Sequence, residues 1–279
     1  MKNLFLITTA IAALTLNACD TTDESHAQTA KPVAEHTKVS KVKTKTQRDI
    51  GNRGEVMMAI QHLDRTQKDK ENDSVRKAAA VLQFANIWPG MTVVEMEAGG
   101  GYYTDILSKL VGADGKVIMQ NPASFDNFIP KEKMEARLAP LANVRLSKTN
   151  FDALDVPSQS ADVVTWILGP HELFYTPEGG SSLGDADKTY AEIFRVLKPG
   201  GHFIVLDHVA SAGTPESSGG DTHRIDPATV RARVEKAGLV FVEESTIHKN
   251  VTDDHTTNVF DPVIRRKTDR FLHKYTKPK

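Results

Sequence analysis

Three consecutive glycines, Gly99, Gly100 and Gly101, follow a short apolar run from Thr92 to Met96 and precede a segment where Tyr103, Ile106, Leu107 and Leu110 recur at helical spacing. Strand, tight turn and helix in that order make a nucleotide-friendly site, because helix-start N–H groups point at a ligand and glycines let it approach the backbone. Alone, the triplet equally suits a turn that needs glycine only for its backbone. Further on, His171 follows the apolar run Asp162 to Leu168 within Gly169-Pro170-His171-Glu172, and Asp207 and His208 follow the run His202 to Leu206. His223-Arg224 lies in the next loop. Histidine suits a general base near neutral pH and arginine suits an anionic group. His171, Asp207, His208 and His223 are therefore the catalytic candidates, His171 first, and Arg224 is the substrate-binding one. The spacing of His171, His208 and His223 matches no standard metal pattern, so no metal is expected.

Elements that position these residues are legible in the same periodicities. Glu55 to Leu63 reads as a short helix, and the densely charged Asp64 to Arg76 as a solvated connector. Asp73 is placed to cap a helix carrying Val75, Ala78, Ala79, Leu82 and Ala85, which Pro89-Gly90 ends. After the glycine turn and its helix, Lys116 to Gln120 and Val144 to Leu146 read as strands around a helix from Lys131 to Leu138. A helix from Lys188 to Lys198, stopped by Pro199-Gly200-Gly201, precedes the strand His202 to Leu206. Asp226-Pro227 starts a helix that ends at Gly238, and Val240 to Glu244 and Arg270 to Tyr275 supply the last strands. Strands alternating with helices imply a mostly parallel sheet covered on both faces.

Taken in order, the segments PGMTVVEMEAGGGYYTDIL, DVVTWILGPHEL, IFRVLKPGGHFIVLDH, HRID and DRFLHKY resemble the class I S-adenosylmethionine (SAM) dependent methyltransferases. More narrowly they are similar to a bacterial subgroup with a triple-glycine turn, a Leu-Lys-Pro-Gly-Gly segment and a late His-Arg pair. The likeness runs from about Asp73 to Pro278. It implies a doubly wound, Rossmann-like α/β fold whose sheet has seven strands, the last, Arg270 to Tyr275, antiparallel. It implies SAM as cofactor, held at Glu95, Glu97, Gly99, Gly100, Gly101 and Tyr103, with Asn121 at the ribose and Asn150 or Asp152 at the adenine. Glu97 stands where the usual pattern has its first glycine, and Ala98 where the subgroup has proline. Asn121 and Asn150 stand where acids are common; a neutral for a charge-assisted hydrogen bond at the ribose would cost roughly tenfold in affinity.

The chain begins with Lys2, an apolar run from Leu4 to Leu16, and Leu16-Asn17-Ala18-Cys19, resembling a bacterial export signal with a lipobox. Lipid on Cys19 would hold the protein to a membrane surface facing the periplasm; cleavage near Ala27, after Ser25-His26-Ala27, would instead release a soluble one. The expected organisation is an export signal over residues 1–19 and a flexible tether over 20–47, too poor in large apolar residues to fold. A methyltransferase-like domain over 48–279 follows, with N-terminal helices over 48–88 and a core over 89–279. A formal charge of −1 with no basic stripe disfavours a nucleic-acid partner.

The implied function is SAM-dependent methylation of an unknown small molecule, lipid or exposed protein group. The alternative is an exported binding protein whose altered contacts at Glu97, Asn121 and Asn150 no longer serve SAM.

Overall fold

The structure, a computed structural model, describes residues 51–176 and 180–279. The export signal with Cys19, the tether and Ala27 lie outside the described residues.

Short apolar runs bounded by glycine, proline or polar turns become strands β1 (Thr92–Met96), β2 (Lys116–Gln120), β3 (Val144–Ser147), β4 (Ala161–Ile167), β5 (Leu197–His208), β6 (Val240–Ser245) and β7 (Arg270–Thr276). They form one sheet in the order β3-β2-β1-β4-β5-β7-β6. β7 lies antiparallel between β5 and β6, and the other pairs are parallel. This is the seven-stranded fold with an antiparallel last strand implied by the sequence.

Alternation along the strands sends side chains to two cores. Val94, Met96, Val164, Trp166, Phe203 and Val205 face one side, against Tyr190 and Ile193 of helix α6 (Ala186–Val196) and Val230 of α7 (Pro227–Lys236). Val93, Val163, Ile204 and Leu206 face the other, against α1 (Arg53–Ile60), α3 (Ala78–Ala85) and α4 (Tyr102–Val111). The central strands are buried on both faces, as parallel strands covered by helices must be.

The charged stretch expected to be a solvated connector is instead helix α2 (Gln67–Arg76), capped by Thr66, whose hydroxyl accepts from the Asp69 N–H at 3.2 Å. Asp73 is not an N-cap: it sits inside α2 and takes two hydrogen bonds from the buried Arg65, at 2.8 and 2.7 Å. The chain breaks at Lys77, at φ 46°, before α3 begins. With almost no apolar face, α2 is held by ion pairs that periodicity does not reveal, including Arg137 of α5 (Lys131–Leu138) to Asp69 at 2.6 Å.

Helix α6 ends at Val196, before the segment expected to stop it. Leu-Lys-Pro-Gly-Gly already belongs to β5, where the register with β4 slips between Ala161 opposite Leu197 and Val163 opposite His202. Lys198 pairs there with Asp162 at 2.7 Å.

Candidate cofactor cavity and histidine cluster

Strand order reverses between β1 and β4, and open α/β sheets bind ligands beyond the carboxyl ends of strands at such a point. A cavity of about 690 Å³ lies there. Its lining includes Glu95 to Gly100, Tyr102 and Tyr103, Arg76 of α2, Leu168 after β4, and Arg266. A Cβ added at Gly99 or Gly100 would meet nothing, so the turn opens onto free space. Gly101 takes φ 79° and starts α4.

Asn121, after β2, shapes this turn from behind. Its Oδ1 accepts the Gly99 N–H at 2.8 Å and its Nδ2 donates to the Gly99 carbonyl at 3.0 Å. Both amide atoms are thus spent on the turn, where the sequence placed them at a ribose. Gln120 supports the same loop: its carbonyl accepts the Ala98 N–H at 3.0 Å and its Oε1 accepts the Glu97 N–H at 2.9 Å. Proline at 98 would lack that first donor, which gives alanine there a physical reason.

Glu97 adopts φ 51°, a left-handed backbone conformation that suits the glycine of the usual pattern and strains a glutamate. Trp166 Nε1 donates to its carboxylate at 2.9 Å. Burial and the nearby Glu172 carboxylate push the Glu97 carboxyl well above its ordinary range. Leu168 and Arg266, on the same cavity, sit at φ 65° and 66°. Strain of this kind persists where surrounding structure enforces it, and it concentrates at ligand sites. Glu95, buried beneath the turn, accepts from Thr104 Oγ1 at 2.6 Å, and burial raises its carboxyl to about 8. Tyr103 lies buried beside Arg76.

Asn150 and Asp152, expected at the adenine, line a separate recess with Ser182, Gly184 and Arg233. Asp152 is engaged there, accepting the Asp185 N–H at 3.0 Å.

The histidines gather past the cavity wall. His171, in the short 3-10 turn Pro170–Phe174, is buried and pairs through Nδ1 with Asp207 Oδ1 at 2.8 Å. Asp207 also accepts the backbone N–H groups of His171 and His208, at 2.9 and 2.7 Å. Burial would depress the His171 imidazole, but the Asp207 and Glu172 carboxylates raise it to about 10. The ring is thus faced by Asp207 at one nitrogen and Glu172 at the other, so its orientation is set by two carboxylates. Asp207 is wholly buried and bonds only within the protein, which suits positioning rather than contact with a substrate.

His208 bonds Thr268 Oγ1 at 2.7 Å, and burial and Arg270 hold its imidazole well below the usual range. His223, at φ 54°, stacks edgewise 5.3 Å from His171, with Phe260 at 4.8 Å on its own ring. Arg224 is not a substrate ligand. It is fully buried and forks onto Asp253 with two bonds of 2.9 Å, donating also to the carbonyls of Thr257 and Val209.

Glu172 escaped the sequence reading, although it neighbours His171. Its Oε1 lies 3.3 Å from His171 Nε2 and 3.6 Å from His223 Nδ1. Burial pushes its carboxyl up, but the facing imidazoles hold it down at about 2. Arg76, Asp69 and Arg266 were missed for another reason: nothing in their spacing says that α2 and a loop near the C-terminus wall the cavity.

Comparison with known proteins places this architecture. A family model described as a methyltransferase domain matches residues 87–261, more than half of the chain. A second, described as protein-L-isoaspartate(D-aspartate) O-methyltransferase, matches residues 31–124. The ubiquinone/menaquinone biosynthesis C-methyltransferase UbiE of Escherichia coli (strain K12 / DH10B) is 29% identical over 126 residues, which is 45% of this chain and 46% of that protein. The chain thus spans about half the length of the curated relatives it matches. Among solved structures, a SAM dependent methyltransferase from Aquifex aeolicus superposes with a TM-score of 0.51 at 21% identity, over 77% of this chain and 95% of that one. The complex between the Haloferax volcanii Trm112 methyltransferase activator and the putative methyltransferase gives 0.52 at 19%, over 81% and 98%. At these identities the structures speak for the fold.

Proposed function

Because the chain belongs to the methyltransferase-domain family, with the class I fold, we propose that it transfers the methyl group of SAM to a small molecule or lipid. The observation that carries this reading is the cavity at the strand-order reversal, floored by a glycine turn that opens onto free space. The residues fit the cofactor: Gly99 and Gly100 leave room against the backbone, and Tyr102, Tyr103 and Arg76 offer aromatic and cationic surface beside it. When bound, SAM supplies an electrophilic methyl group on a sulfonium. The protein's part is mostly positioning, which can supply several kcal/mol of such a barrier, about 7–11 at the upper end. Asn121 and Gln120 fix the turn, Glu95 anchors α4 to β1 through Thr104, and Glu97 with Trp166 closes the inner wall. Family membership counts against the reading as a binding protein with a disused site.

We further propose that the protein is exported and held on a periplasm-facing membrane surface by lipid on Cys19. The signal-like sequence around Leu16 to Cys19 supports this, and among the described residues no helix is long and apolar enough to cross a membrane. Replacing Cys19→Ser should release or misprocess the protein, and unaltered membrane fractionation of the variant refutes the anchor.

Calorimetric titration of the purified protein with SAM and S-adenosylhomocysteine tests the central reading. Binding of both at about micromolar affinity is expected. Gly101→Asp places a side chain at φ 79° against Arg137 and should abolish it while circular dichroism stays native. A folded wild type that binds neither compound overturns the proposal.

A further inference from the structure

We propose that His171, Glu172 and His223 form a binding site for one divalent transition-metal ion of the zinc type. One donor atom from each residue lies within 4.8 Å of the others. Glu172 Oε1 is the hub, 3.3 Å from His171 Nε2 and 3.6 Å from His223 Nδ1. With zinc–nitrogen and zinc–oxygen bonds of about 2.0–2.2 Å, donors of a tetrahedral site stand about 3.4 Å apart. Both measured separations fall on that edge length. They are long for charge-assisted hydrogen bonds, which contract to about 2.7–2.9 Å, so Glu172 stands off each imidazole as a co-ligand does rather than as in a tight ion pair.

Two further observations point the same way. His223 Nδ1 is buried without a hydrogen-bond partner, a costly arrangement that an ion would satisfy. His171 turns its other nitrogen to Asp207 at 2.8 Å, and Asp207 is itself locked by the N–H groups of His171 and His208. A carboxylate behind the ring fixes the tautomer with its free nitrogen toward the site, as outer partners of metal-ligating histidines do. His223 is held by Tyr175 and Phe260 at ring distances of 5.2 and 4.8 Å, with its backbone at φ 54°. The ligands come from two loops some fifty residues apart in sequence, which is why their spacing fits no linear motif. Two imidazoles and a carboxylate suit zinc or iron(II) and leave coordination positions for solvent or a ligand.

The inference stands apart from methyl transfer, and its test reads metal alone. The purified full chain, stripped with a chelator and dialysed, is titrated with Zn²⁺ in competition with a chromophoric chelator. Tight binding of a single equivalent is expected, weakened by about a hundredfold or more in His223→Ala and in Glu172→Gln. A zinc-edge anomalous peak between the three side chains in zinc-soaked wild-type crystals is expected as well, and it decides the matter if a variant does not fold. No stoichiometric binding, folded variants that bind zinc like the wild type, or a peak elsewhere overturns the proposal.

Discussion

Asn121 grips Gly99 through both atoms of its amide, accepting from the N–H at 2.8 Å and donating to the carbonyl at 3.0 Å. An aspartate could keep the first bond only, and its second oxygen would face the carbonyl. Asn121→Asp should therefore loosen the turn and weaken SAM binding about tenfold, read by calorimetry. If the side chain instead served the ribose, as the sequence suggested, the acid would strengthen binding. The two readings differ in sign, so one titration separates them.

The sequence alone does not show the bonds that Asn121 makes to Gly99. A residue at the end of β2 can be placed by strand periodicity, but where its amide points depends on the returning glycine loop. The sheet itself was legible because each strand is a short apolar run between breakers, and the observed ends lie close to the expected ones except at β5. Helix α2 was not legible, since Gln67 to Arg76 has no apolar stripe and is held by partners such as Arg137. Glu172 was one residue from the leading candidate, yet only the fold brings His223 to it.

Glu95 sets a pH dependence of stability. Its folded value, raised to about 8 by burial, exceeds the ordinary value of 4.5, so the folded state binds the proton more tightly than the unfolded one. That contribution is full below the unfolded value, declines as pH rises from there, and is lost through about 8. Glu95→Gln should flatten this decline. Urea melts across that range should show the variant gaining on the wild type as pH rises, by a few kcal/mol at the alkaline end. Parallel curves for the two proteins would contradict the assignment.

Arg224 and Asp253 form a buried pair, both fully enclosed. Removing one partner of such a pair strands the other charge and costs about 3–5 kcal/mol. Arg224→Ala should lower urea stability by that much and leave the SAM affinity of the remaining folded protein unchanged. A stable variant with impaired binding of a methyl acceptor would return Arg224 to the substrate site.

Gly169 is required by the contact between Glu97 and Trp166. A Cβ at that position would fall on the indole nitrogen and on the Glu97 carboxylate, so even alanine must displace both. Trp166 is fully buried between Phe151 and Tyr190, with ring separations of 5.0 and 6.2 Å, and has little room to yield. The overlap must therefore be relieved by the backbone around Gly169 as well as by Glu97, already at φ 51° on the cavity wall. Gly169→Ala should cost about 1–3 kcal/mol, the usual range for overpacking, and should weaken SAM binding in the same variant. Glu97→Gly removes the strained side chain and one of the two clashes, leaving the one with the indole. The double variant Glu97→Gly with Gly169→Ala should then be more stable than Gly169→Ala alone, measured by thermal melts. Strict additivity of the two changes would mean that the groups do not meet, and that the wall of the cavity is built some other way.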